Sequence, residues 1–153
     1  MSASAIVVVC ALELLGRSVD RLPPITVLEG PPPGVSANAE AFVDRHEGRI
    51  YLIASAPSFR LAAAAQDRPG NRSQCVERGA LKMIASIIAH EEWHVKHGSD
   101  ERGAYYAQLT ELTRLGLGPG TWATNSVTRS MHAALKAQAR KRHTPTEHLA
   151  LGR

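Results

Sequence analysis

Apolar and polar positions change their period several times along the chain, and the changes divide it into elements. The run Ala5-Ile6-Val7-Val8-Val9-Cys10-Ala11-Leu12 lies in a segment of about 4–15 that reads as helix stopped by Gly16, although Ile6–Val9 suit a strand equally well. Pro23-Pro24 ends any helix before it, and Ile25-Thr26-Val27-Leu28-Glu29 alternates like a strand. Gly30-Pro31-Pro32-Pro33-Gly34 is an extended surface connection. Ala41–Asp44 and Arg49–Ala54 are strand-like runs joined by Arg45-His46-Glu47-Gly48, which predicts a β-hairpin closed by Pro57. Residues 58–66 suit a short helix, and Asp67-Arg68-Pro69-Gly70-Asn71 is a turn cluster. From there the period is helical. Ser73 can cap a long helix of about 74–97. A second helix runs over about 100–115 to Gly116. A last one, capped by Ser126, covers about 127–142 with Val127, Met131, Ala134, Leu135 and Gln138 on one face, and Pro145 ends it before a tail.

Strands first and helices after predict an α+β fold: a small antiparallel sheet packed against the long helix and two or three further helices. The chain of 153 residues suits one domain, 1–153, with no internal repeat or linker. Hydrophobic content of 44% and charged content of 21% are ordinary for a globular protein.

Net charge is +4, but residues 126–153 hold six Lys or Arg against one Glu. The basic excess is therefore a C-terminal feature, a helix and tail at about 126–153, which argues against a specific nucleic-acid role. No segment has the length of a membrane span. The apolar run near the start lacks the preceding basic residue of a signal peptide, so a cytoplasmic placement is expected. Cys10 and Cys75 are read first as buried free thiols, with a bridge between them left open.

The chemistry concentrates in His90-Glu91-Glu92-Trp93-His94. Four helical residues turn about 400° and rise about 6 Å, so His90 and His94 stand one above the other. Two imidazoles so placed can reach one Zn²⁺ at about 2.0–2.1 Å from each nitrogen. Glu91, offset by about 100°, lies beside the ion, where a carboxylate can act as a base on water without ligating. The preceding Ala80–Ala89 is an apolar helix, and Met83, Ile87, His90 and His94 continue one core-facing stripe. A buried histidine pair needs a partner, and a metal supplies one.

Two histidines are one ligand short of a catalytic zinc site. His97 lies about 10.5 Å along the axis from His90, too far to share the ion. Gly98 reads as the helix stop and Ser99 as the cap of the next helix, with Asp100 and Glu101 in its first turn. Either acid could turn back onto the metal. Glu101 has the longer reach and is the preferred third ligand, with Asp100 the alternative. Tyr105 shares a helix face with Glu101 and is a candidate to support the site or an oxyanion, against a packing role. Trp93 and Trp122 read as packing residues.

His90-Glu91-x-x-His94 followed by Gly98 and Glu101 resembles a zincin metallopeptidase, gluzincin-like and compact, over about residues 80–117. The resemblance implies His90, His94 and Glu101 as zinc ligands, Glu91 as general base, and a peptide or protein as substrate. It departs from the family in two ways. Most gluzincins place their glutamate much further downstream. In the metzincin pattern the third ligand would fall at Asp100, but Gly98 is one residue late. Zincins also add the substrate peptide to an edge strand, and Arg49–Ala54 is the expected strand. The alternative function is a catalytically idle, zinc-stabilised protein-interaction module.

Overall fold

A computed structural model of the protein describes residues 1–70, 75 and 78–143. Asn71 of the turn cluster, the expected cap Ser73 and the tail 144–153 lie outside the described residues. The fold is α+β, with a three-stranded sheet and five helices.

α1 (Ala3–Leu15) starts where the Ser2 Oγ accepts from the Ala5 amide at 3.2 Å. It stops at Gly16, whose φ of 63° is a left-handed conformation that glycine adopts without cost. A single 3₁₀ turn, Val19–Arg21, leads into β1 (Ile25–Leu28). The hairpin forms as expected: β2 (Ala41–Asp44) runs antiparallel to β3 (Arg49–Ile53), with Ala41 opposite Leu52 and Asp44 opposite Arg49.

The sheet is mixed rather than antiparallel. β1 pairs parallel to β3, with Ile25 opposite Ile50 and Leu28 opposite Ile53, giving the order β1-β3-β2. The proline-rich connection 29–40 carries the chain across the end of β3 to the opposite edge, as a parallel pair requires a crossover rather than a tight turn. β3 is therefore the central strand, with Ile50, Leu52 and Ile53 buried. Its backbone is paired on both sides, so it is not the edge strand that the sequence suggested. The edges are β1 and β2.

α2 (Pro57–Gln66) begins with proline in its first turn, where no amide partner is needed, and buries Phe59, Ala62 and Ala65. α3 (Arg78–His97) is the centre of the molecule. Between Ala80 and His94 every residue is buried except the half-buried Lys82 and Trp93. A helix apolar all round must be covered all round. α1, α2, the sheet and α4 (Glu101–Arg114) supply that cover. α5 (Trp122–His143) packs on α4 through Ala123, Val127 and Met131.

α5 starts earlier than the sequence suggested. The Thr121 Oγ1 accepts from the Thr124 amide at 3.3 Å, and Ser126 lies inside the helix. Trp122 is 58% exposed and does not pack into the core. Arg129, Lys136, Arg140, Lys141 and Arg142 are all on the exposed side. No helix among the described residues is long and apolar enough to cross a membrane.

Cys10 and Cys75 are not free thiols. They form a disulfide with Cα atoms 5.5 Å apart, tying α1 to the segment that leads into α3. Sequence spacing says nothing about the meeting of residues so far apart, because α1 reaches Cys75 only through packing on α3. Closing a loop of sequence separation 65 removes conformational freedom worth about 4 kcal/mol from the unfolded chain. Paired Cys10→Ser and Cys75→Ser substitutions should lower unfolding stability by about 2–4 kcal/mol in denaturant titrations, and reductant should have the same effect on the unsubstituted protein. Identical unfolding midpoints with and without reductant would show that the bridge contributes nothing.

Candidate metal centre

The long apolar stretch of α3 ends in four buried positions that carry charge or imidazole within five residues. His90 and Glu91 are 8% exposed, Glu92 5% and His94 8%. The helix stops where the sequence places the stop, at Gly98, whose φ of 102° turns the chain and whose amide donates to the His94 carbonyl at 2.9 Å. The next helix is capped by Asp100 rather than Ser99. The Asp100 carboxylate accepts from the Gly103 amide at 3.4 Å. Capping commits Asp100 to its own helix, because the aspartate side chain is short enough to fold back on the third amide after it. Glu101, now the first helical residue, is free to turn inward.

His90, His94 and Glu101 converge. The two Nε2 atoms are 3.2 Å apart, His90 Nε2 lies 3.4 Å from Glu101 Oε2, and His94 Nε2 lies 3.4 Å from Glu101 Oε1. A tetrahedral site with bonds of about 2.0–2.1 Å has donor–donor edges of about 3.4 Å, so these separations suit one shared ion. The three residues form a group that could hold a metal. Asp100 is not in it, nor is His97, which is exposed and lies against Trp93 with ring centroids 4.8 Å apart.

The other ring nitrogens decide which atoms point at the centre. His94 Nδ1 is 2.7 Å from the Gly98 carbonyl oxygen. A carbonyl only accepts, so Nδ1 carries the proton and Nε2 carries a lone pair. For His90 the argument passes through two more residues. The Ser86 hydroxyl donates to the Met83 carbonyl at 2.7 Å, so its oxygen accepts the Gln108 amide Nε2 at 3.3 Å. Gln108 Oε1 then faces His90 Nδ1 at 3.0 Å and takes its proton. Both Nε2 lone pairs therefore face each other across 3.2 Å. They repel unless a cation, either a proton or a metal ion, lies among them and the Glu101 carboxylate.

The electrostatics agree. Burial alone would push the Glu101 carboxyl up, but its contacts with His90 and His94 outweigh that and hold it down at about 2. Burial disfavours a charged His94, and the Glu101 and Gly98 oxygens reverse the effect and raise it. Glu91 is raised from the ordinary carboxylate range by burial. The histidine charges oppose the rise and Glu101 adds to it. Tyr105 stands edge-on to the His90 ring with centroids 4.5 Å apart. Burial, and then the Glu101, Glu91 and Glu40 charges, push its hydroxyl up to about 12, so it stays protonated at neutral pH.

The docking of α4 sets the Glu101 position. Gly103 lies so close to the Trp93 ring that a Cβ there would run into it. Trp93 in turn packs on His94 with centroids 5.9 Å apart. Sequence reasoning placed Trp93 in packing but missed Gly103, Ser86 and Gln108. Gln108 had a signal: it is a polar residue four positions from both Ala104 and Leu112 on the buried face of α4.

No protein-family model, curated protein or solved structure matches the chain, so the reading of the site rests on its own geometry.

Glu101→Ala should empty the site, while Asp100→Ala should leave metal content nearly unchanged and weaken only the cap, by about 1 kcal/mol. Metal analysis of both purified variants checks this, and the reverse pattern would make Asp100 the ligand. Gln108→Leu removes the acceptor that orients His90 and should lower metal affinity about 10–100-fold in competition with a chelator. Unchanged affinity would show that His90 keeps its orientation without the Ser86–Gln108 relay.

Proposed function

We propose that the protein is a compact zincin-like metallopeptidase that hydrolyses peptide bonds with zinc at His90, His94 and Glu101. The observation that carries this reading is the two Nε2 lone pairs facing each other across 3.2 Å, with the Glu101 carboxylate beside them and buried Glu91 next to them. Two imidazoles and one carboxylate are a donor set suited to catalytic zinc, which keeps a further position for water or substrate. When bound, zinc supplies a Lewis acid that polarises the scissile carbonyl and lowers the pKa of water.

The chain's own groups supply the proton traffic. The Glu91 carboxylate takes a proton from the attacking water and delivers it to the amine nitrogen that leaves. Burial raises its pKa above the ordinary carboxylate value, which makes it a stronger base than an exposed glutamate. Tyr105 keeps its proton and so can donate a hydrogen bond to the substrate carbonyl oxygen, while its ring braces His90.

The role of receiving strand passes from β3 to β2. β2 is an edge strand in contact with α3, so its outer edge is where an extended peptide would add. The Cys10–Cys75 bridge suits an oxidising compartment, which weighs against the cytoplasmic placement expected from the sequence.

Glu91→Gln keeps size and shape while removing the base. Chelator-sensitive peptide hydrolysis should fall by about 10²–10⁴-fold with zinc content unchanged. His90→Ala should lose both metal and activity. If Glu91→Gln also loses zinc, Glu91 is a ligand. If the zinc-loaded protein cleaves nothing in a broad peptide library, the reading moves to a catalytically idle, zinc-stabilised interaction module.

A further inference from the structure

β2 is preceded by Glu40 and followed by Arg45, and both come near the surroundings of the trio. At its start, Glu40 lies on the His90 side, where its charge reaches the Tyr105 hydroxyl and its carboxylate accepts from the Ser58 amide at 3.4 Å. At its other end, the turn into β3 brings Arg45 to the His94 side. Its Nη2 lies 4.0 Å from where a Cβ on Gly98 would sit, and Gly98 is the residue whose carbonyl orients His94. Five extended steps separate Glu40 from Arg45 by about 16 Å, roughly the reach of a short peptide laid along the edge.

The carboxylates nearest Arg45 in sequence are engaged elsewhere. Asp44 Oδ1 accepts from the His46 and Glu47 amides at 2.9 and 3.1 Å, which folds the turn. Glu47 Oε2 accepts from the Tyr51 hydroxyl at 3.2 Å and lies 3.8 Å from Arg49 Nε. Arg49 also donates to Thr26 Oγ1, Arg17 pairs with Glu92, and Arg114 pairs with Glu111. Arg45 is exposed and forms no ion pair among the described residues. Its guanidinium fork is thus presented beside the site with its donors unspent.

Resting on the peptidase reading, we propose that Arg45 is a specificity-determining residue that binds a carboxylate of the substrate, selecting extended peptides that carry a negative charge to one side of the bond to be cleaved. The carboxylate comes from an acidic side chain or from the peptide's own C-terminus. Glu40 repels the same group at the opposite end of β2, so the two charges together fix which way an acidic peptide lies. The contact is open to solvent, so it is worth a few-fold in affinity rather than orders of magnitude, and it weakens with salt.

The probe is a set of short fluorescein-labelled, alanine-rich peptides with one Glu or Gln scanned through the sequence, each made with a free and an amidated C-terminus. Binding is read by anisotropy on the zinc-loaded Glu91→Gln protein, and cleavage on the wild type. Some acidic peptides should bind about three- to tenfold more tightly than their neutral counterparts. That preference should vanish in Arg45→Gln and persist in part in Arg45→Lys. Loss on amidation identifies the C-terminus as the source, and loss on Glu→Gln in the peptide identifies a side chain. Equal binding of charged and neutral peptides, no binding of any peptide, or a preference that survives Arg45→Gln overturns the proposal. An Arg45-dependent preference without any cleavage by the wild type supports the carboxylate site and overturns only the hydrolytic reading.

Discussion

The structure depends on a repulsion that has to be neutralised. Two buried imidazoles each have Nδ1 committed as a donor, one to a backbone carbonyl and one to a glutamine. Their remaining nitrogens face each other at 3.2 Å in a part of the molecule with little water to screen them. A buried polar atom without a partner is costly, and two facing lone pairs cost more. Glu101 and a cation answer that cost together, and the surroundings hold the three groups in place. Gly98 turns the chain within one residue, Asp100 caps α4, and bare Gly103 lets α4 approach the Trp93 ring closely enough for Glu101 to reach both histidines. A side chain at Gly103 would disturb the His90–His94–Glu101 group through the helix packing without touching it.

The same logic explains why α3 is so thoroughly enclosed. On a loosely held surface helix, His90 and His94 would shift relative to the rest of the group. Here the helix is packed by α1, α2, the sheet and α4, so the His90 and His94 backbones cannot shift independently of the core. The disulfide adds a covalent tie between α1 and the approach to α3. Glu40 and Arg45 flank the edge strand β2, and both come near the group: the Glu40 charge reaches Tyr105, and Arg45 Nη2 lies close to Gly98.

What was legible in the sequence was local. The spacing of His90, Glu91 and His94, the glycine stop at Gly98 and the hairpin around Arg45–Gly48 each follow from a few neighbouring residues, and each is present. Reach alone favoured Glu101 over Asp100, and the cap supplies the reason: aspartate is the right length to serve its own helix. What was not legible depended on chain paths between elements. The parallel pairing of β1 with β3 follows from where the 29–40 connection crosses, which periodicity does not encode. The Cys10–Cys75 bridge and the Ser86–Gln108–His90 relay join residues 65, 22 and 18 positions apart. Thr121 was overlooked as a cap because Ser126 also precedes an apolar stripe, one turn further on.

Glu91 and Glu92 are adjacent, nearly equally buried, and differ in what they meet. Glu92 is held by Arg17 from the α1 end and by Lys96 one turn along α3, at 3.5 Å, so its charge is neutralised by two cations. It anchors the helix to α1 through Arg17. Glu91, about 100° around the helix, has no such Lys or Arg partner among the described residues, and its charge is felt by the histidines, Glu101 and Tyr105. Its charge is therefore governed by the state of the trio. A cation held there favours the carboxylate, and a protonated Glu91 becomes easier once positive charge is withdrawn. Of these two adjacent glutamates, Glu91 is the one whose charge is coupled to His90, His94 and Glu101, and the proposed role of base rests on that difference.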